Sequence, residues 1–282
     1  MKVPPLLSLA ALICSSSVLP AATLGYYRFE SGAFQDNSQG TGSGLLNLGS
    51  TPTQLAIPAS GTGSAFPTTI EQTGASNGSL ASLFGSDRFA VSDASSINIT
   101  SDFTIEAFID RKATTSTTQY IASNWYTSGN YRSFALGVAG TTGVGGGSAG
   151  ALFLLLSDGG SDVSIFQTGL TIGLDTDYYV GVSFDQSDQT SGITFYTQDL
   201  TSGGALLQSS IGHDIDHLNV GSGALQIGAY DGNKSNFQGL VDEVRISNTA
   251  LSESELLVIP EPSAFALVLS GSAFLCIARR RR

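Results

Sequence analysis

From Phe103 to Ile109 the chain alternates strictly, with Phe103, Ile105, Ala107 and Ile109 on one side of an extended backbone and Thr104, Glu106 and Phe108 on the other. Tyr178, Val180, Val182 and Phe184 repeat the period, and Ile193 to Tyr196 and Leu225 to Ala229 continue it. A period of two predicts strands with one buried face. Asp185-Gln186-Ser187-Asp188 and Gly221-Ser222-Gly223 supply turn chemistry between them. Thr141 to Gly150 reads as a glycine-rich loop, because it lacks both the strand-then-helix setting and the lysine of a phosphate-binding loop. No long segment carries the helical period. Ser252-Glu253-Ser254-Glu255 predicts one capped turn or two, through Leu256 and Leu257, before Pro260 ends it. The pattern predicts an all-β fold, a sandwich or barrel. There is no internal repeat.

Both ends depart from this pattern. Lys2, the apolar run Leu6 to Ile13 and the small residues Pro20-Ala21-Ala22 read as a secretory signal peptide over residues 1–22. At the other end, uncharged Ala264 to Ala278 follows Pro260-Glu261-Pro262 and precedes Arg279, Arg280, Arg281 and Arg282. Fifteen helical residues rise about 22 Å against a hydrocarbon core of about 30 Å, a marginal span. The four arginines would hold the terminus in the cytoplasm and leave everything before it outside the inner membrane.

Charge and cysteine content sharpen the reading. The only cysteines, Cys14 and Cys276, lie in the two terminal segments, so the body rests on core burial without a disulfide. Five of the twelve basic residues are Lys2 and Arg279 to Arg282, which leaves seven against twenty-three acidic residues in 23–263, a formal net of −16. Such a field repels nucleic acid and anionic lipid and suits cations or uncharged glycans; solubility alone is the competing explanation.

The ordered tail of Pro260, Glu261, Pro262, apolar helix and arginine cluster resembles the PEP-CTERM sorting signal. That resemblance implies an exported protein of a Gram-negative-type bacterium, processed near the tripeptide by an exosortase and held transiently in the inner membrane on the way to the cell surface or exopolysaccharide. A second resemblance lies in Phe237-Gln238-Gly239-Leu240-Val241-Asp242-Glu243-Val244-Arg245-Ile246-Ser247 followed by Ala250-Leu251-Ser252. With Tyr27-Arg28-Phe29-Glu30, Asp36-Asn37-Ser38, Asp102 to Phe108 and Tyr178 to Phe184 in order, this is similar to the LamG-like, concanavalin A-type jelly roll. It implies a two-sheet antiparallel sandwich over 23–257, between the signal peptide and a sorting segment at 258–282.

Strand parity sets Leu240, Asp242, Val244 and Ile246 on one face, which puts Asp242 on the apolar side. A carboxylate there needs hydrogen bonds, an ion pair such as Arg28 or Arg88, or a metal. LamG-like relatives often carry calcium, and first and last strands of a jelly roll commonly adjoin, so Glu30 and Asp242 are the candidate ligands of one structural calcium. His213 and His217 are about 13 Å apart if extended and read as part of an acidic loop rather than a metal cluster. The glucanases of this fold need a close run of three carboxylates on one strand. Glu106-Ala107-Phe108-Ile109-Asp110 lacks the intermediate and third ones, no serine elbow is present, and the expectation is a protein that is not an enzyme. Trp125, Tyr126 and Tyr131 are the candidate sugar-stacking rings, with Asn124 and Asn130 as hydrogen-bonding groups; the competing reading buries Trp125 in the core. Tyr230 and Asp231 form a second rim candidate. The readings to separate are a noncatalytic glycan-binding domain, an inert structural or adhesive surface protein, and a divergent glucanase.

Overall fold

The computed structural model describes residues 97–128, 131–159, 162–220, 223–231 and 234–258, together with 23–27 and the strand backbones at 55–56, 80–82 and 90–92. Both terminal segments, Glu30, Arg28, Arg88, Asp36, Asn37 and Asn130 lie outside the described residues.

The described chain folds as β1 (Thr23–Tyr27), β2 (Leu55–Ala56), β3 (Leu80–Ser82), β4 (Ala90–Ser92), β5 (Phe103–Arg111), β6 (Gln119–Tyr126), β7 (Tyr131–Val138), β8 (Ala151–Leu156), β9 (Ser164–Thr171), β10 (Asp177–Phe184), β11 (Ile193–Asp199), β12 (Leu207–Ile211), β13 (Gln226–Ile227) and β14 (Gly239–Ser247), followed by a 3-10 turn at Glu253–Glu255. Sheet A runs β1-β14-β5-β10-β11-β12, with β3 also paired to β14, and sheet B runs β2-β4-β13-β6-β7-β8-β9. All strand pairings are antiparallel. This is the all-β two-sheet jelly-roll sandwich, and β1 lies beside β14 as the closed topology requires.

The core between the sheets follows from the alternation. Phe103, Ile105, Ala107 and Ile109 of β5 meet Val180, Val182 and Phe184 of β10 and Ile193 and Phe195 of β11 from sheet A. Sheet B contributes Ile121, Phe134, Leu136, Val138, Leu152, Leu154 and Leu156. Ser252 and Glu255 do cap the 3-10 turn: the Glu255 carboxylate accepts both the Ser252 N–H (2.9 Å) and its hydroxyl (2.5 Å).

The parity reading of β14 fails at one residue. Glu243 has φ of 51°, and the register against β5 slips between Asp242 and Arg245. A bulge adds one residue to one strand and reverses every later side chain relative to strict alternation. Val241, Val244 and Ile246 therefore face the core, whereas Leu240, Asp242 and Arg245 share the opposite face with Phe108 and Glu106 of β5. The Asp242 Oδ1 accepts the Glu243 N–H at 2.8 Å, which supports the left-handed backbone at the bulge.

Each sheet also buries apolar residues on its outer face. On sheet A, Phe108, Tyr179, Tyr196 and Leu240 are covered by Leu251, Leu256 and Val258 of the C-terminal strap. On sheet B, Tyr120, Trp125, Ala135, Phe153 and Leu155 are covered by Val144 and Tyr230 from two loops.

Candidate functional site

The outer face of sheet B carries a run of rings. Tyr120 pairs with Gly137 and Gly137 with Phe153 across β6, β7 and β8. A Cβ on Gly137 would stand 2.7 Å from the Phe153 ring, so glycine there lets that ring lie across the strand. Tyr120 meets Phe153 edge-on at 5.4 Å and stacks on Tyr230 at 4.3 Å with 13° between planes; Tyr230 in turn lies 6.1 Å from Trp125. Burial pushes the Tyr120 phenol up to about 12 and also raises Tyr230.

The loop carrying Tyr230 is fastened to the end of β6. Ser123 Oγ donates to the Ala229 carbonyl (2.9 Å), and Asp231 N–H to the Trp125 carbonyl (3.2 Å). The Asp231 carboxylate accepts Thr127 N–H (2.9 Å), Thr127 Oγ1 (2.6 Å) and Lys234 Nζ (2.6 Å). Burial alone would raise Asp231, but the bonds from Lys234 and Thr127 hold it below its ordinary value. Asp231 and Ser235 adopt positive φ of 48° and 49° to make the turn.

Trp125 is 1% exposed, so its ring cannot stack on a sugar; it supports the loop from beneath. It is also not in the core between the sheets, because it points to the outer face of sheet B. Asn124 points inward and donates to the Ile97 carbonyl at 3.1 Å, which removes it as a surface hydrogen-bonding group. Tyr126 and Tyr131 form the last cross-strand pair of the β6–β7 hairpin, with Tyr131 45% exposed and Tyr126 half-buried. Of the candidate rings, therefore, Tyr131, part of Tyr126 and part of Tyr230 reach the surface.

The outer face of sheet A holds a different cluster, which sequence reading missed. Glu106 is completely buried, and its carboxylate accepts Tyr179 Oη (2.7 Å), Leu257 N–H (2.7 Å), Arg245 Nε (2.6 Å) and Arg245 Nη2 (2.5 Å). Arg245 Nη2 also donates to the Glu255 carbonyl at 2.6 Å. Two residues earlier on β5, Thr104 Oγ1 donates to the Thr249 carbonyl and accepts Leu251 N–H, both at 2.8 Å. The outward side chains of β5 thus pin the strap that leads into the tail. Burial raises the Glu106 carboxyl above its ordinary value against the lowering pull of Arg245, Tyr179 and Leu257, and burial with the Glu106 charge lifts the Tyr179 phenol well up. A Cβ on Gly181 would stand 2.9 Å from the Tyr179 hydroxyl, so glycine opens the route to Glu106. The traces in the sequence were Tyr179-Val180-Gly181 and a glutamate at an outward position of an otherwise apolar strand.

The two histidines have separate partners. His213 Nδ1 accepts Ile215 N–H (3.2 Å), so Nε2–H donates to the Asp185 carbonyl (2.9 Å), while His217 Nε2 lies 2.9 Å from Asp158 Oδ1. Among the described residues no group of three or more His, Cys, Asp or Glu is gathered to hold a metal ion. Asp242 is fully buried, and its proposed co-ligand Glu30 lies outside those residues. No helix among the described residues is long and apolar enough to cross a membrane.

Comparisons with known proteins agree with this architecture. Many solved structures share the fold, and three illustrate it. The receptor binding domain of botulinum neurotoxin C/D mosaic serotype matches with TM-score 0.53 at 9% identity, over 84% of this chain and 50% of that one. A botulinum neurotoxin type C structure, described in connection with cell entry dependent on two ganglioside molecules, matches at 0.50 and 8%, over 82% and 49%. Domain 4 of AbnA, a GH43 extracellular arabinanase from Geobacillus stearothermophilus in complex with arabinotriose, matches at 0.50 and 15%, over 83% and 96%. The chain spans about half the length of the toxin chains it matches. Among curated proteins none matches the sequence. The laminin-G-type profile described as concanavalin A-like lectin/glucanases superfamily matches residues 84–257, and the chain belongs to that superfamily.

Proposed function

We propose that this protein is an exported, noncatalytic glycan-binding domain of the cell surface or exopolysaccharide. One observation carries the reading: Tyr126 and Tyr131 stand side by side at the end of the β6–β7 hairpin, with the Tyr131 face open to solvent. Flat rings at a surface stack on sugar faces, and the acidic body favours an uncharged polymer. Further support comes from the arabinotriose and ganglioside named for the structural neighbours. Glu106, the only glutamate of β5, is sealed beneath the strap by Tyr179, Arg245 and Leu257, which argues against a glucanase pair on that strand.

Export and retention belong to the same proposal. The signal peptide directs the chain out, an exosortase processes it near Pro260-Glu261-Pro262, and Arg279 to Arg282 hold the tail at the inner membrane until then. Intact-mass analysis of surface material, giving a chain that ends near Pro260, is the expected outcome; a retained tetra-arginine end contradicts it. Calcium enters only as a structural ion held by Glu30 and Asp242, and a melting temperature unmoved by calcium and by chelator removes it.

Affinity electrophoresis through neutral polysaccharide gels tests the binding claim. Retardation of the wild type that is lost in Tyr131→Ala is expected, and free migration of the wild type through every gel overturns it. The second reading, a structural surface protein, draws on the strap being pinned immediately before the tail. Ordered self-assembly of a protein that binds no glycan would favour it.

A further inference from the structure

The inward face of sheet A changes character at one end. Along β10 and β11 the inward positions are Val180, Val182, Phe184, Ile193 and Phe195, all in the core. At the opposite pole from the β6–β7 hairpin the same faces continue as Tyr178, Thr197 and Asp199. Tyr178 pairs with Asp199, Val180 with Thr197, and Thr197 with Leu207 of β12, so all four side chains share the inward side. A sandwich that simply closed there would place apolar residues at those positions. This one places a hydroxyl, a phenol and a carboxylate.

The space they face is unfilled. β9 and β12, the edge strands of the two sheets on this side, leave a cleft of about 380 Å³ between Gly169, Leu170 and Thr171 and the group Tyr178, Thr197, Asp199 and Leu207. Gly204 and Ala205 form its rim, and with Gly169 they keep the mouth clear of bulky side chains. Asp199 Oδ1 accepts the Ser202 N–H at 2.9 Å, and among the described residues no cation pairs with this carboxylate. Tyr178 is half-buried against the core, and Leu207 is 56% exposed at the opening.

We infer that this lateral cleft is a second carbohydrate site, which takes the end of a neutral glycan chain. The inference rests on the glycan-binding reading above but uses none of the same residues. Ligand pockets run from about 300 to 1,000 Å³, so this one is near the small end and suits a chain terminus rather than a long stretch of polymer. Asp199 and the Tyr178 and Thr197 hydroxyls offer convergent partners for sugar hydroxyls. The Tyr178 ring, Leu170 and Leu207 supply apolar wall for the faces of the sugar. The carboxylate and the acidic body exclude anionic ligands. A domain with sites at opposite poles would hold a chain end with one and the body of a polymer with the other, gaining avidity wherever both engage.

The test is calorimetric titration of the full-length protein in detergent with arabinotriose, laminaritriose, cellotriose and maltotriose. Saturable binding of at least one trisaccharide is expected, abolished by Ala205→Trp, which fills the mouth, and weakened about tenfold or more by Asp199→Ala through loss of charge-assisted hydrogen bonds. Tyr131→Ala should leave it intact. Circular dichroism of each variant establishes that it folds, and Asp199→Ala carries the test if Ala205→Trp does not. Trisaccharide binding that survives both cleft variants but disappears in Tyr131→Ala overturns the cleft and leaves the hairpin site standing. Gel retardation by polysaccharide without any trisaccharide binding does the same. Absence of both kinds of binding overturns the two readings together.

Discussion

Both sheets bury apolar side chains on the face turned away from the core, yet the two covers are built differently. On sheet A the strap 248–258 lies over Phe108, Tyr179 and Leu240, and fully buried Glu106 gathers a guanidinium, a phenol and a strap amide. On sheet B the cover is built from two loops, and in the one that carries Tyr230 two non-glycine residues adopt positive φ, held by stacked rings and by Asp231 bonds. An ion pair on a fully buried carboxylate resists removal of either member, whereas a pair made with the solvent-exposed Lys234 ammonium contributes little. One face is fastened where the chain leaves for its tail, and the other leaves half-exposed tyrosines at the surface.

The largest effect that would break this contrast is Glu106→Ala. It leaves the partly buried Arg245 without its counter-charge and the Tyr179 hydroxyl and Leu257 amide without their acceptor, and should cost about 3 kcal/mol in urea unfolding. Replacing both partners, Glu106→Met with Arg245→Leu, should recover much of that loss, since the apolar strap then packs against matching side chains. Trp125→Ala should cost about 3 kcal/mol, because the indole supports the sheet B cover from below. Tyr230→Ala removes a stacked but half-exposed ring and should cost only about 1 kcal/mol, while loosening the 228–236 loop in hydrogen exchange.

The two covers should also answer pH with opposite sign. Glu106 has its folded pKa raised above the ordinary 4.5 by burial, so its contribution is complete below about pH 4.5 and declines as pH rises through the elevated value. Asp231 has its pKa lowered from 3.8: burial works against this, and the Lys234 and Thr127 bonds prevail. Its contribution is present above about pH 3.8 and is lost as pH falls through the depressed value. As pH rises, unfolding should therefore show the wild type losing ground to Glu106→Gln above about pH 4.5; as pH falls below about 3.8, it should show the wild type losing ground to Asp231→Asn. Curves of the same sign for both pairs would erase the distinction.

The sequence made the core legible because strand side chains alternate: Phe103 to Ile109 and Tyr178 to Phe184 face as their period requires. Parity could not say which side of a two-faced strand is the core side once both are covered. Trp125 was therefore readable as large and buried, but not as lying on the outer face. A single αL residue, Glu243, shifted Val244 and Ile246 relative to Asp242, and nothing in a glutamate announces a bulge. The Glu106 cluster was hidden for another reason. Its partners come from β10, β14 and the strap, brought together by strand pairings that sequence spacing does not encode.

Native-state hydrogen exchange on the intact protein tests the contrast most directly, because it reports each cover's own opening free energy. The Leu251 and Leu257 amides, bound to Thr104 and Glu106, should exchange only with global unfolding, whereas the Asp231 and Lys234 amides should exchange earlier through local opening. Strap amides that exchange as readily as those of the loop would contradict it.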